Sequence, residues 1–158
     1  MLSDKEIIIR LTLSVVFAGI IGLERQISRR TAGLRTHILV SLGSCLIMLT
    51  SLYVFDIYRN VANLDPTRIA SGVVTGIGFL GAGAIIRESE GVRGLTTAAS
   101  VWVSAAIGLA VGCGFYTASF YTTILALTVL MLLRRMESRL IGKIEGWKKK
   151  KEVGGNGF

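Results

Sequence analysis

The sequence contains one proline, two cysteines and one histidine in 158 residues, and only 10 acidic residues against 18 basic ones. Each shortage removes a class of protein. Two cysteines do not make the framework of a disulfide-stapled domain. Cys45 falls midway along one apolar run and Cys113 at the end of another, so their depths differ and no disulfide is expected between them. His37 has no His or Cys at a metal-ligand spacing, and no acidic or thiol neighbour in sequence that would make a nucleophile and base pair. No metal site, no cofactor and no hydrolytic or transfer enzyme are therefore expected. Charge is missing from whole stretches: residues 36–55 carry none if His37 is neutral, and residues 69–86 and 94–133 carry none at all.

What is present is apolar. The AVILMFWYC set makes up 51% of the chain and 19 glycines come on top of it, against roughly 45–50% for both together in soluble domains. A soluble globule of this length cannot cover that much apolar surface. The chain is expected to be an all-α polytopic membrane protein. A bilayer core of about 30 Å is crossed by roughly 20 apolar helical residues, and five segments meet that demand, at about 4–24, 36–56, 66–87, 94–112 and 116–134. The last two come from the 40 uncharged residues 94–133. As one helix these would be about 60 Å long, so the run is expected to fold back at Gly112-Cys-Gly114.

The ends of the spans carry their own signals. Ser3 with Glu6 three residues later forms a capping-box pattern, and Asp65 followed by Pro66 reads as an N-cap and a first helical residue. The flank Ser3-Asp-Lys-Glu6 is not basic, so the first span is read as a membrane helix and not as a cleaved signal. The net charge of +8 sits in two places, +3 over residues 24–35 and +5 over residues 134–152. With the first loop, the third loop and the tail inside, 14 Lys and Arg residues lie in the cytoplasm and four outside. The positive-inside rule then puts the N terminus outside and the C terminus in the cytoplasm of a bacterial inner membrane. The basic excess is a topology signal. The loop 24–35 has no aromatics among its arginines, and no nucleic-acid partner is expected.

Beyond residue 134, Met136, Leu140, Ile144 and Trp147 recur at helical spacing in a charged segment. Residues 135–151 are therefore expected to form a short basic amphipathic helix. It either lies on the membrane, with Trp147 at the headgroups and Lys148, Lys149, Lys150 and Lys151 facing anionic lipid, or serves as a plain stop-transfer flank. Residues 152–158 are expected to be a disordered tail.

Gly76-Ile-Gly-Phe-Leu-Gly81 spells the dinucleotide fingerprint, yet it lies inside an uncharged span, and Val101 stands where the acidic residue should be. Its glycines suit helix packing instead. Gly72, Gly76 and Gly83 share one face of the third span, with Gly78 and Gly81 opposite, so that span is expected at the centre of the bundle, packed on both sides. Ser14, Ala18 and Gly22, and Ser100, Ser104, Gly108 and Gly112, form similar rows. A row left over would serve a homo-oligomer. At the cytoplasmic boundary, Glu24, Arg25, Arg35, Arg87, Arg93, Thr96 and Thr97 form a candidate polar network, either structural or ligand-binding.

Gly22-Leu-Glu-Arg25, Ala32-Gly-Leu-Arg-Thr36, Arg68-Ile-Ala70, Gly76-Ile-Gly-Phe-Leu-Gly-Ala-Gly83 and Val92-Arg-Gly-Leu-Thr-Thr-Ala-Ala99 with Trp102 resemble the signature blocks of the MgtC/SapB (YhiD-like) family of bacterial inner-membrane proteins. The match covers about residues 15–112. The resemblance implies a multi-pass fold and links to magnesium limitation, virulence, acid stress and restraint of the F-type ATP synthase, a possible membrane partner. It differs from the best-known virulence members in ending on the basic helix without their soluble C-terminal domain, and in having Thr96 where that subgroup tends to have Asn.

Mg²⁺ favours carboxylate oxygens, and no Asp or Glu lies mid-span; the deep polar candidates are Ser44, Thr75, Ser100 and Ser104. The expected function is therefore regulation through helix contacts, with the chain itself or with a membrane partner. Transport of Mg²⁺, protons or another small ion is the alternative.

Overall fold

The computed structural model describes residues 2–61, 65–89, 91–133 and 135. The expected helix over 135–151, with Trp147 and Lys148–Lys151, and the tail 152–158 lie outside the described residues apart from Arg135.

Five α-helices follow one another: α1 (Asp4–Ile27), α2 (Leu34–Tyr58), α3 (Thr67–Ala84), α4 (Leu95–Gly112) and α5 (Tyr116–Thr128), the last continued by a π-helical turn, Val129–Leu133. They coincide with the five apolar segments within a few residues. By length and composition, α1, α2 and α4 are long and apolar enough to cross a membrane, whereas the apolar stretch Tyr116–Leu132 is shorter. Between α3 and α4 the chain forms a small antiparallel hairpin, β1 (Ile86–Glu88) and β2 (Gly91–Arg93), in the register Ile86 with Arg93 and Glu88 with Gly91. By its contacts the chain divides into two units, residues 1–124 and 125–158.

Local chemistry accounts for the helix ends. The Ser3 hydroxyl accepts from the Glu6 N–H at 3.3 Å, and Glu6 Oε2 accepts from the Ser3 N–H at 3.0 Å, completing the capping box that starts α1. Asp65 Oδ1 accepts from the Thr67 N–H at 2.8 Å and from Thr67 Oγ1 at 2.7 Å at the start of α3. α1 and α4 stop in the same way. Arg30 N–H bonds back to Arg25 O and Arg29 N–H to Gln26 O, while Phe115 N–H bonds back to Ala110 O and Gly114 N–H to Val111 O. Both are Schellman turns, whose pivot residue adopts a left-handed conformation. The pivot is Gly114 (φ +90°) in one and Arg29 (φ +52°) in the other.

The packing inverts the soluble pattern. Phe79, Leu39, Ile8 and Trp102 are exposed, whereas Ser14, Ser41, Ser44, Ser100 and Ser104 are buried. Between apolar helices in lipid the small residues do the packing, because lipid tails cover large side chains as well as a core would. α2 packs most extensively against α4 and next against α1. A Cβ on Gly108 would run into the Ser41 carbonyl, and one on Gly112 would lie 2.8 Å from Cys45 O and 2.7 Å from Met48 Cβ. A Cβ on Gly22 would lie 2.8 Å from Leu34 Cα. These pairings set the register: α2 and α4 run parallel, and α1 is antiparallel to both.

The expectation that α3 is the central, doubly packed helix is corrected. A Cβ on Gly72, Gly76, Gly78 or Gly83 would meet nothing within 4 Å, and on Gly81 only Ala98 Cβ at 3.7 Å. α3 instead presents Ala70, Val73 and Ile77, and Val73 and Ile77 join a cluster with Ala32, Val101 and Ala105. Small-residue spacing marks a face that permits close approach; which face is used depends on the partner's shape. The rows Ser14, Ala18, Gly22 and Ser100, Ser104, Gly108, Gly112 are buried throughout.

Candidate functional site

A polar layer lies where the end of α1 meets the starts of α2 and α4. Gly22 lets α2 approach α1, and one turn along from it Arg25 is 2% exposed. Its guanidinium is paired through Nε and Nη2 with Glu24 Oε2, and Ser28 Oγ donates to Glu24 Oε1 at 2.7 Å. A charge withdrawn from water needs such a partner, since an unpaired buried ion costs several kcal/mol.

Beside this pair His37 is fully buried. Its Nδ1 lies 2.8 Å from the Gly33 carbonyl, which can only accept, so Nδ1 carries a proton. Nε2 lies 3.0 Å from Ser100 Oγ, which is itself 2.9 Å from the Thr97 carbonyl. In the neutral ring Nε2 is an acceptor, and Ser100 has one hydroxyl proton to share between the imidazole and that carbonyl. The imidazole thus ties the loop before α2 to the first turns of α4.

The boundary residues singled out from the sequence divide into two groups. Glu24, Arg25 and Thr97 belong to the inner layer. Arg35, Arg87 and Thr96 are exposed, and Arg93 pairs with Glu88 across the hairpin at 3.2 Å on the surface. Among the described residues, Arg35 and Arg87 make no ion pair.

Sequence reasoning passed over Arg10. It is 8% exposed at the opposite end of the same three-helix interface, and Nη1 donates to Gly112 O at 2.7 Å. Arg10 Nε and the hydroxyls of Ser41 and Ser104 are buried without a hydrogen-bond partner among the described residues. The one signal for Arg10 was a cation interrupting an apolar run. For His37 it was the only imidazole in the chain, seven residues after a basic pair.

On the outside of this layer, a groove of about 470 Å³ separates the α1–α2 loop from the end of α3. Thr31, Ala32 and Thr36 form one wall, and Phe79, Leu80 and Gly83 form the other.

The MgtC family profile matches residues 11–139. The chain belongs to the MgtC family. It is 46% identical over 140 residues to YhiD of Escherichia coli (strain K12), named as a candidate magnesium transporter, covering 87% of this chain and 65% of that protein. Protein MgtC of Salmonella typhimurium (strain 14028s / SGSC 2262) is 41% identical over 133 residues, 84% of this chain and 54% of its own length. Protein SapB of Bacillus subtilis (strain 168) is 38% identical over 121 residues, 74% of this chain and 52% of its own. The chain therefore spans between about half and two thirds of these relatives. No solved structure matches it. Family membership and the apolar helices make it a membrane protein.

Proposed function

We propose that this MgtC-family chain is an inner-membrane regulator of ion homeostasis under magnesium limitation or acid stress, acting through helix contacts with itself or a membrane partner. Its N terminus lies outside and its C terminus in the cytoplasm. The observation that carries the proposal is the make-up of the α1–α2–α4 interface. Among the described residues its buried polar groups are hydroxyls, one imidazole and two guanidiniums, Arg10 at one end and Arg25 at the other, with no buried carboxylate. Mg²⁺ sheds water reluctantly and is held by oxygen anions. A route through this interface would meet the Arg10 guanidinium at one end and the Glu24–Arg25 ion pair at the other, and would offer no carboxylate between them. No enzymatic role is part of the proposal.

The name of the Escherichia coli relative favours a second reading, a magnesium transporter. Any such path would have to run between subunits or along a face that the single chain leaves open. Protein reconstituted in liposomes, with dyes reporting Mg²⁺ and protons, decides between them. Flux equal to that of empty vesicles is expected, and a saturable flux above it overturns the regulatory proposal.

A further inference from the structure

The groove beside α3 is apolar along one wall, and arginines adjoin its lining residues in sequence. Phe79 is 83% exposed, and Gly83 opposite the loop leaves open space where a side chain would stand. Both threonines on the other wall are preceded in the chain by arginines: Arg29 and Arg30 come just before Thr31, and Arg35 just before Thr36. Arg87 follows the α3 wall, three residues after Ala84. All four are exposed, and among the described residues none makes an ion pair, whereas Arg25, Arg59 and Arg93 each have a carboxylate partner.

We propose that this groove holds one anionic phospholipid, its acyl chain against Phe79, Leu80 and Gly83 and its phosphate beside Thr31, Thr36 and the arginines that flank them. Charge and polarity favour this occupant. An apolar wall meeting uncompensated cations at a helix boundary matches an amphiphile with an anionic head, and basic pockets between membrane helices bind such headgroups. The same cations repel a metal ion. The proposal rests on the chain being a membrane protein and is independent of whether it regulates or transports.

The test uses purified, delipidated protein in detergent, titrated with phosphatidylglycerol or phosphatidylcholine of identical chains while thermal unfolding is followed. Phosphatidylglycerol is expected to bind at least tenfold more tightly, read from the rise in midpoint, which grows with the logarithm of ligand concentration over its dissociation constant. Arg30→Gln with Arg35→Gln should bring the two lipids to equal affinity. Gly83→Leu should weaken both by filling the groove, while Gly72→Leu, which also projects into open space, should leave both unchanged. Should Gly83→Leu fail to fold, the arginine pair alone carries the test. Equal affinity for the two lipids in the wild type overturns the proposal, as does an arginine variant that keeps the preference. It also falls if inorganic phosphate alone reproduces the shift, which marks a free-anion site. A dimer that Gly83→Leu converts to monomer with lipid affinity unchanged marks a second copy as the occupant, and overturns it likewise.

Discussion

Arg10 on the first helix donates from Nη1 to the carbonyl of Gly112, the last residue of the fourth, at 2.7 Å. The carbonyls at a helix C-terminus lack intrahelical partners and carry partial negative charge, so a cation there satisfies both needs. Arg10→Met should lower stability by about 1–2 kcal/mol; a charged hydrogen bond is lost, offset in part by release of the buried, unpartnered Nε. Arg10→Lys, which keeps the charge, should lose less. Unfolding of both variants in detergent checks this, and wild-type midpoints for Arg10→Met would mean that the bond contributes nothing.

Opposite signs are expected at two helical glycines. Gly108→Ala drives a methyl into the Ser41 backbone, and overpacking of that kind costs about 1–3 kcal/mol. Gly76→Ala meets open space and should be neutral or stabilising by up to about 1 kcal/mol through helix propensity. Loss of stability at position 76 equal to that at 108 would show that α3 packs against something through its glycines after all.

The paired Schellman turns make a second contrast. Arg29→Gly should stabilise by roughly 1 kcal/mol, since an L-residue is strained in the left-handed region that glycine enters freely. Gly114→Ala should destabilise by a similar amount, with the Arg10 guanidinium adding pressure: its Nη2 lies 3.2 Å from where the methyl would stand. Chemical denaturation midpoints of the two variants should move in opposite directions.

At the start of α3, the Thr67 hydroxyl and then its N–H hold the Asp65 carboxyl below its usual range. A depressed carboxylate stabilises the fold above its unfolded pKa and loses that contribution as pH falls through the folded value. Wild-type protein should therefore lose thermal stability relative to Asp65→Asn below pH about 4, with no such divergence near neutrality. Parallel pH curves for the two proteins would remove the capping role.

Orientation is testable apart from stability. The division of 14 cations against four expects an alkaline phosphatase fused after residue 158 to be inactive and one fused near residue 63 to be active. The reverse pattern would invert the topology.

Most of the helices were legible because their cause is local. Charge-free runs, a capping box, Asp65-Pro66 and the glycines of residues 112–114 fix where helices start and stop without reference to any neighbour. Two of the three small-residue rows were legible for the same reason. The contacts at the two ends of the three-helix interface were not. Nothing in a sequence window ties residue 10 to residue 112 or residue 37 to residue 100, because their proximity comes from how α1, α2 and α4 register. The hairpin over 86–93 was also missed; its alternation is too short to stand out from a charged loop.

The parallel alignment of α2 with α4 has a consequence for biosynthesis. His37 and Ser100 are separated by 63 residues, so at about 5–20 residues per second the nascent chain carries α2 for roughly 3–13 s before its principal partner is made. During that interval α1, joined later by α3, covers α2 among the described helices. The antiparallel α1–α2 pair, closed where Leu34 and His37 approach Gly22, is then the first part able to form. A lesion at Gly22 would strike the protein during synthesis, before α4 exists to compensate, whereas one at Gly108 would be felt only at the final docking step.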